Sequence, residues 1–217
     1  KNNPYGDKAN EEIIKRCDEI SNFLVNKNCK AIVIACNTAS AEASKFLRSK
    51  YKEIPIIAIE PAYKMVHDYA YDKETLIMAT KATIMSKRFN YILKEYNNSK
   101  TYVMQCIGLA DLIEEGKEEK IRKYLEVNLK EYVGKVKNVV LGCTHYPLIK
   151  NEIADILGDV KFFDGAPYVA RHLKRVLEKR KFIKEKTVRG KVEFFDTGEA
   201  NEKRKRFFEI LGEVYER

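Results

Sequence analysis

Two short stretches decide the fold: Lys30-Ala-Ile-Val-Ile-Ala-Cys36-Asn37-Thr38 and Lys137-Asn-Val-Val-Leu-Gly-Cys143-Thr144-His145. In each, a lysine opens an apolar β-branched run, a cysteine follows six positions later, and polar residues lead into a helical pattern. An apolar run this short, bounded by polar residues, reads as a strand buried on both faces. Working outward, further strands are expected at 54–59, 75–80, 101–104, 160–163 and 192–195. Amphipathic helices fill the intervals. Ile13, Ile14, Cys17, Ile20 and Leu24 form one helical stripe, and Ala39, Ala43, Phe46 and Leu47 another. Helices are also expected over 65–71, 83–96, 109–115, 118–133, 147–157, 166–182 and 202–215. Strands alternating with helices make an α/β protein with parallel sheets. The echo between the two cysteine stretches predicts two similar lobes. Open parallel sheets bind ligands beyond the carboxyl ends of their strands, so facing ends would form a cleft with one thiol on each wall.

The composition narrows the function classes. The 217 residues carry 41 Lys and Arg against 32 Asp and Glu, a net charge of +9. The basic residues are scattered among acids, and the densest run, Lys203-Arg204-Lys205-Arg206, falls on the expected last helix. That pattern suits a solvated surface and an anionic substrate better than a nucleic-acid groove. No apolar run approaches the ~18 residues of a membrane span, and no secretion signal opens the chain. A cytosolic protein is expected. Five cysteines, at 17, 29, 36, 106 and 143, are an odd number without a Cys-x-x-Cys pair, which argues against a disulfide framework. Cys17 fits a helix stripe, Cys29 a loop and Cys106 a strand end, so these three read as structural.

Cys36 and Cys143 are the candidates for chemistry. Inverting an α-carbon means removing a proton from one face and returning one to the other, and two opposed acid/base groups do this most simply. Thiols suit the task, since a thiol is tunable around its ordinary pKa and a helix N-terminus favours the thiolate. Asn37, Thr38, Thr144 and His145 are placed to donate hydrogen bonds to substrate carboxylates, and His145 can also support a Cys143 thiolate. Other chemistries fit less well. A cysteine phosphatase loop wants Arg six residues after its Cys, where this chain has Glu42 and Ile149. No Gly-rich nucleotide fingerprint is present, and Cys143-x-His145 is poor spacing for zinc. No cofactor and no metal are expected.

Ala35-Cys36-Asn37-Thr38-Ala39-Ser40 and Leu141-Gly142-Cys143-Thr144-His145-Tyr146-Pro147-Leu148 closely resemble the two cysteine motifs of the glutamate racemases, in the aspartate/glutamate racemase superfamily. Pro4-Tyr5-Gly6, Ile59-Glu60-Pro61-Ala62 and Thr80-x-x-Thr83 are similar to further family segments in the same order. The resemblance implies two pseudo-symmetric flavodoxin-like lobes with the active site between them. It also implies racemisation of L- and D-glutamate without pyridoxal phosphate or metal, supplying D-glutamate for peptidoglycan in the bacterial cytoplasm. By the same resemblance Cys36 and Cys143 are the catalytic pair, and Tyr5, Gly6, Asn37, Thr38, Thr144 and His145 contact substrate. Thr80 and Thr83 are further candidates, and Glu114 resembles a carboxylate that assists the second half-site. His145, where aspartate racemases carry Glu, favours glutamate.

The lobes are expected at 1–61 with 166–217, and at 62–165, crossing at Pro61 and at Gly165-Ala166-Pro167. The expected partners are glutamate and a second copy in a homodimer, with neither nucleic acid nor membrane. The family's opening strand and its glycine-rich Asp-Ser loop have no counterpart in these residues. The Cys36 lobe is therefore expected to lack a central strand, and the 217 residues alone to be inactive and aggregated or oligomeric. Three rival readings stay open: an aspartate racemase, a thiol oxidoreductase, and a basic nucleic-acid-binding module.

Overall fold

The computed structural model describes residues 5, 8–96, 98–183, 190–197 and 200–215. Pro4–Ile183 forms one compact unit, and residues within Lys184–Arg217 belong to a second.

The first part of the large unit is built on the first cysteine stretch. Strand β1 (Ile32–Ile34) pairs in parallel with β2 (Ile56–Ala58), Ile32 opposite Ile56. Helices α1 (Asn10–Asn26) and α2 (Asn37–Lys50) cover one face of this pair. Ile13 and Cys17 of α1 and Ala39, Ala43 and Leu47 of α2 close over Ile32, Ile34 and Ile56. The small side chains at 39 and 43 allow α2 to lie close to the strands, which sets where its first turn begins.

After Pro61 the chain enters α3 (Tyr63–Ala70) and then β3 (Thr75–Ala79), α4 (Lys81–Met85), α5 (Lys87–Tyr96) and β4 (Thr101–Gln105). It continues through α6 (Leu109–Glu114), α7 (Glu118–Leu129), β5 (Asn138–Gly142), a 3-10 turn at Tyr146–Ile149, α8 (Lys150–Leu157) and β6 (Lys161–Phe163). The four strands form one parallel sheet in the order β4-β3-β5-β6. Counted within this lobe the order is 2-1-3-4, the flavodoxin-like arrangement. Side chains alternate across it: Leu76, Met78, Val139 and Leu141 pack under α6, α7 and α8, while Ile77 and Val140 pack under α3 and α5. Both faces are therefore buried, and the fold is α/β as the sequence pattern implies.

The chain returns after β6 through Gly165 into α9 (Ala166–Lys179). A Cβ on Gly165 would stand 2.8 Å from the Glu60 carbonyl oxygen and 3.1 Å from Ile59 Cγ1, so the two expected crossing points touch. Beyond α9, Arg180 donates to the Glu53 carbonyl at 2.8 Å and Lys30 to the Phe182 carbonyl at 3.1 Å. In the second unit, α10 (Ala200–Tyr215) sets Phe207 against Phe194, with ring centroids 4.8 Å apart. The strand expected at 192–195 is not formed: these residues have no regular structure, and among the described residues no strand pairs with them. Among the described residues no helix is long and apolar enough to cross a membrane.

Gly142 is the tightest point of the sheet. It pairs with Ala79, and a Cβ there would meet Met78 O at 2.7 Å and Ala79 Cβ at 2.9 Å. Gly142→Ala is expected to cost about 1–3 kcal/mol by overpacking. Gly190→Ala, whose Cβ would point into open space, is the control and should change little. Urea unfolding of both variants checks this; equal midpoints would show that β3 and β5 can separate without cost.

Candidate active site

The expected thiols lie at corresponding places. Cys36 is the N-cap of α2, immediately after β1, and Cys143 follows β5 directly. Cys143 is among the causes that raise the pKa of Cys36, after burial. Position 143 lies just past the boundary between β3 and β5, where the strand order of the sheet reverses, and Thr80 follows β3 at the same height. This is where a ligand crevice is expected in a doubly wound sheet.

The two thiols sit in different electrostatic settings. Burial pushes the Cys36 thiol above its ordinary value, while the backbone amides of Ala39 and Thr38 pull the other way. Besides the amides at the open end of α2, the Thr38 side chain hydrogen-bonds the sulfur and also lowers its pKa. Cys143 is buried, and its Sγ stands 3.6 Å from His145 Nδ1. On the far side of the ring, Nε2 is 3.1 Å from Glu114 Oε2. The Cys143 hydrogen bond first and the Glu114 hydrogen bond second raise the His145 pKa to about 10, against the opposing effect of burial. His145 is thus an imidazolium at neutral pH, donating to a sulfur on one side and a carboxylate on the other.

The remaining candidates gather unevenly. Tyr5 is half-buried against the Cys36 cluster, and burial together with Cys17 and Cys36 raises its pKa. Gly6 lies outside the described residues. Asn37 is 4% exposed, and its Oδ1 has no hydrogen-bond partner among the described residues. Thr144 is partly exposed beside Cys143. Thr38 is buried and its hydroxyl is engaged with Thr80 at 3.0 Å and Thr83 at 3.3 Å. This cross-element contact could not be read from spacing; only the Thr80-x-x-Thr83 pattern hinted at it. All five cysteines are free thiols. Burial raises Cys17 to about 11 and Cys106 to about 12, in keeping with structural roles. Among the described residues no three His, Cys, Asp or Glu side chains converge as a metal-holding group.

The His145 pairing has a definite pH signature. A raised folded-state value means that the pairing contributes stability fully below the ordinary value of 6.5 and loses it as pH rises through about 10. An NMR titration of the His145 ring should show a midpoint at about 10, moving down in Glu114→Gln. A midpoint at the ordinary 6.5 would mean that neither partner holds the proton.

Residues 4–173 match the family model described as Asp/Glu/Hydantoin racemase. The glutamate racemase of Clostridium kluyveri is 42% identical over 199 residues, spanning 89% of this chain and 77% of that protein. The crystal structure of glutamate racemase from Francisella tularensis in complex with D-glutamate superposes with a TM-score of 0.71 at 30% identity, covering 85% of this chain and 71% of that one. That of Campylobacter jejuni gives 0.76 at 26% identity, covering 96% and 83%. The chain belongs to the Asp/Glu/Hydantoin racemase family, among its glutamate racemases, and is an isomerase.

Proposed function

We propose that this chain racemises glutamate by two-thiol proton transfer between Cys36 and Cys143. The observation that carries the reading is the pair of strand–cysteine units, each with its cysteine just past the carboxyl end of a parallel strand. One cysteine, as thiolate, takes the α-proton and becomes a thiol. The resulting carbanion takes a proton from the thiol of the other cysteine on the opposite face, leaving that one as thiolate. Roles exchange in the reverse direction, and no net charge or electron is left over.

The surroundings suit an amino acid with an extra carboxylate. The unpartnered Asn37 Oδ1 is an acceptor without a donor, matched by an α-ammonium. The first-turn amides of α2 and the Thr144 hydroxyl offer donors to carboxylates, as does the net positive charge of the chain. Tyr5 and Gly6 complete the substrate contacts in this reading, and Thr38 contributes its amide. The imidazolium of His145 favours an anionic substrate. The relatives named glutamate racemase, and the one solved with D-glutamate, support glutamate over aspartate. The same reading makes the protein a dimeric bacterial cytoplasmic enzyme supplying D-glutamate to peptidoglycan.

The decisive measurement is α-proton exchange and inversion of each glutamate enantiomer in deuterium oxide. Racemisation of both enantiomers by the full-length protein is expected, with Cys36→Ala and Cys143→Ala each losing about 10²–10⁴-fold. Near-parent racemisation by Cys143→Ala would end the two-thiol reading. A higher kcat/KM for L-aspartate than for L-glutamate would move the substrate assignment.

A further inference from the structure

The described hydroxyls include one cluster that the proton-transfer scheme leaves unused. Thr80 Oγ1 donates to Thr83 Oγ1 at 3.0 Å, and Thr38 Oγ1 lies 3.0 Å from the first and 3.3 Å from the second. The Thr83 amide also donates to Thr80 Oγ1 at 3.3 Å, capping α4. All three residues are nearly inaccessible, at 3%, 7% and 1% exposure for Thr38, Thr80 and Thr83. Each hydroxyl has one proton and two lone pairs. With Thr80 donating to Thr83, Thr83 can donate to Thr38, whose own hydroxyl also hydrogen-bonds the Cys36 sulfur. The hydroxyl protons of Thr80 and Thr83 are then spent inside the cluster, and neither is left to meet a carboxylate.

The triangle joins the two halves of the candidate site. Thr38 stands in the first turn of α2, two residues after Cys36, and its amide is one of those favouring the Cys36 thiolate. Thr80 directly follows Ala79, the residue paired with Gly142, which precedes Cys143. The path from one thiol to the other thus runs through one helical turn, three hydroxyls and one pair of hydrogen-bonded strands.

We propose that Thr80 and Thr83 are positioning residues, whose buried hydroxyl triangle with Thr38 locks the start of the Cys36 helix to the Cys143 lobe and sets the separation of the two thiols. The proposal rests on the two-thiol reading of the site. It assigns Thr80 and Thr83 no contact with substrate, in contrast to the role that the family resemblance suggests.

Thr80→Val and Thr83→Val keep the shape and remove the hydroxyl; Thr83→Ser keeps the hydroxyl. In the full-length protein, each valine variant is expected to lower kcat by about 10²-fold, since misplacement of reacting groups by about 1 Å costs that much. KM should stay within about threefold, because no substrate contact is removed. Hydrogen exchange of the amides at 38–40 should speed up in the valine variants by about tenfold, one unit on the scale of local opening. Thr83→Ser should restore both. A KM that rises while kcat holds would overturn the proposal in favour of direct substrate contact. An unchanged kcat with only a lower melting temperature would overturn it in favour of plain packing. If the parent protein racemises no glutamate, the functional reading fails, yet the exchange measurement still decides whether the triangle holds the helix.

Discussion

The close pairing of β5 with β3 is the constraint on which the rest of the molecule depends. It is possible only because position 142 has no side chain: Ala79 and the Met78 carbonyl occupy the space that a Cβ would need. With the register set there, Thr80 and Cys143 leave the sheet side by side at its carboxyl edge. The flavodoxin-like order then sends the connections after β3 and β5 apart, α4 and α5 going one way and the 3-10 turn and α8 the other. A crevice between them is what this topology predicts. The residues lining it need only be polar and correctly aimed.

The part of the unit that carries Cys36 meets that sheet through polar contacts among others. Glu60, at the end of the segment leading from β2, is gripped by Arg88 of α5 through two hydrogen bonds, Nε to Oε1 at 2.7 Å and Nη2 to Oε2 at 2.9 Å. Both side chains are largely exposed, so this fork contributes orientation more than stability. Gly165 lets the returning chain press against Ile59 and Glu60. The threonine triangle is buried, in contrast to the exposed Glu60–Arg88 fork. In a low-dielectric setting a satisfied hydroxyl network is stiff, and an unsatisfied one is costly.

Much of this organisation is legible in the amino-acid sequence, and the reason is local. Each of the six strands that form lies within or very near its expected range, because strands buried on both faces announce themselves as apolar runs. The repeated Lys-to-Cys unit marked the two ends that matter. The strand expected at 192–195 failed for the opposite reason: an apolar β-branched pattern is only half of a strand, and pairing is the other half. Glu114 was ambiguous in sequence, since a carboxylate at a helix end reads equally as solvated surface. Only the fold brings it 3.1 Å from an imidazole 31 residues away. Thr38 and Thr83 are 45 residues apart, and no periodicity couples them.

The two cysteine units look alike as sequence but differ as electrostatics, and the difference has a physical origin. Cys36 is followed at once by fourteen residues of α-helix, whose first-turn amides are free to face the sulfur. Cys143 is followed by a turn and a 3-10 segment, with α8 beginning only at Lys150. Pro147 in that segment has no N–H to offer. The helix terminus that serves the first thiol is therefore displaced from the second. His145 stands in its place, 3.6 Å from the Cys143 sulfur through Nδ1 and 3.1 Å from Glu114 through Nε2, and these hydrogen bonds, Cys143 first and Glu114 second, raise its pKa. The repeat preserves the position of the sulfur at the end of a parallel strand. Backbone amides surround one sulfur and an imidazole stands beside the other, so two units alike in sequence differ in what faces their cysteines.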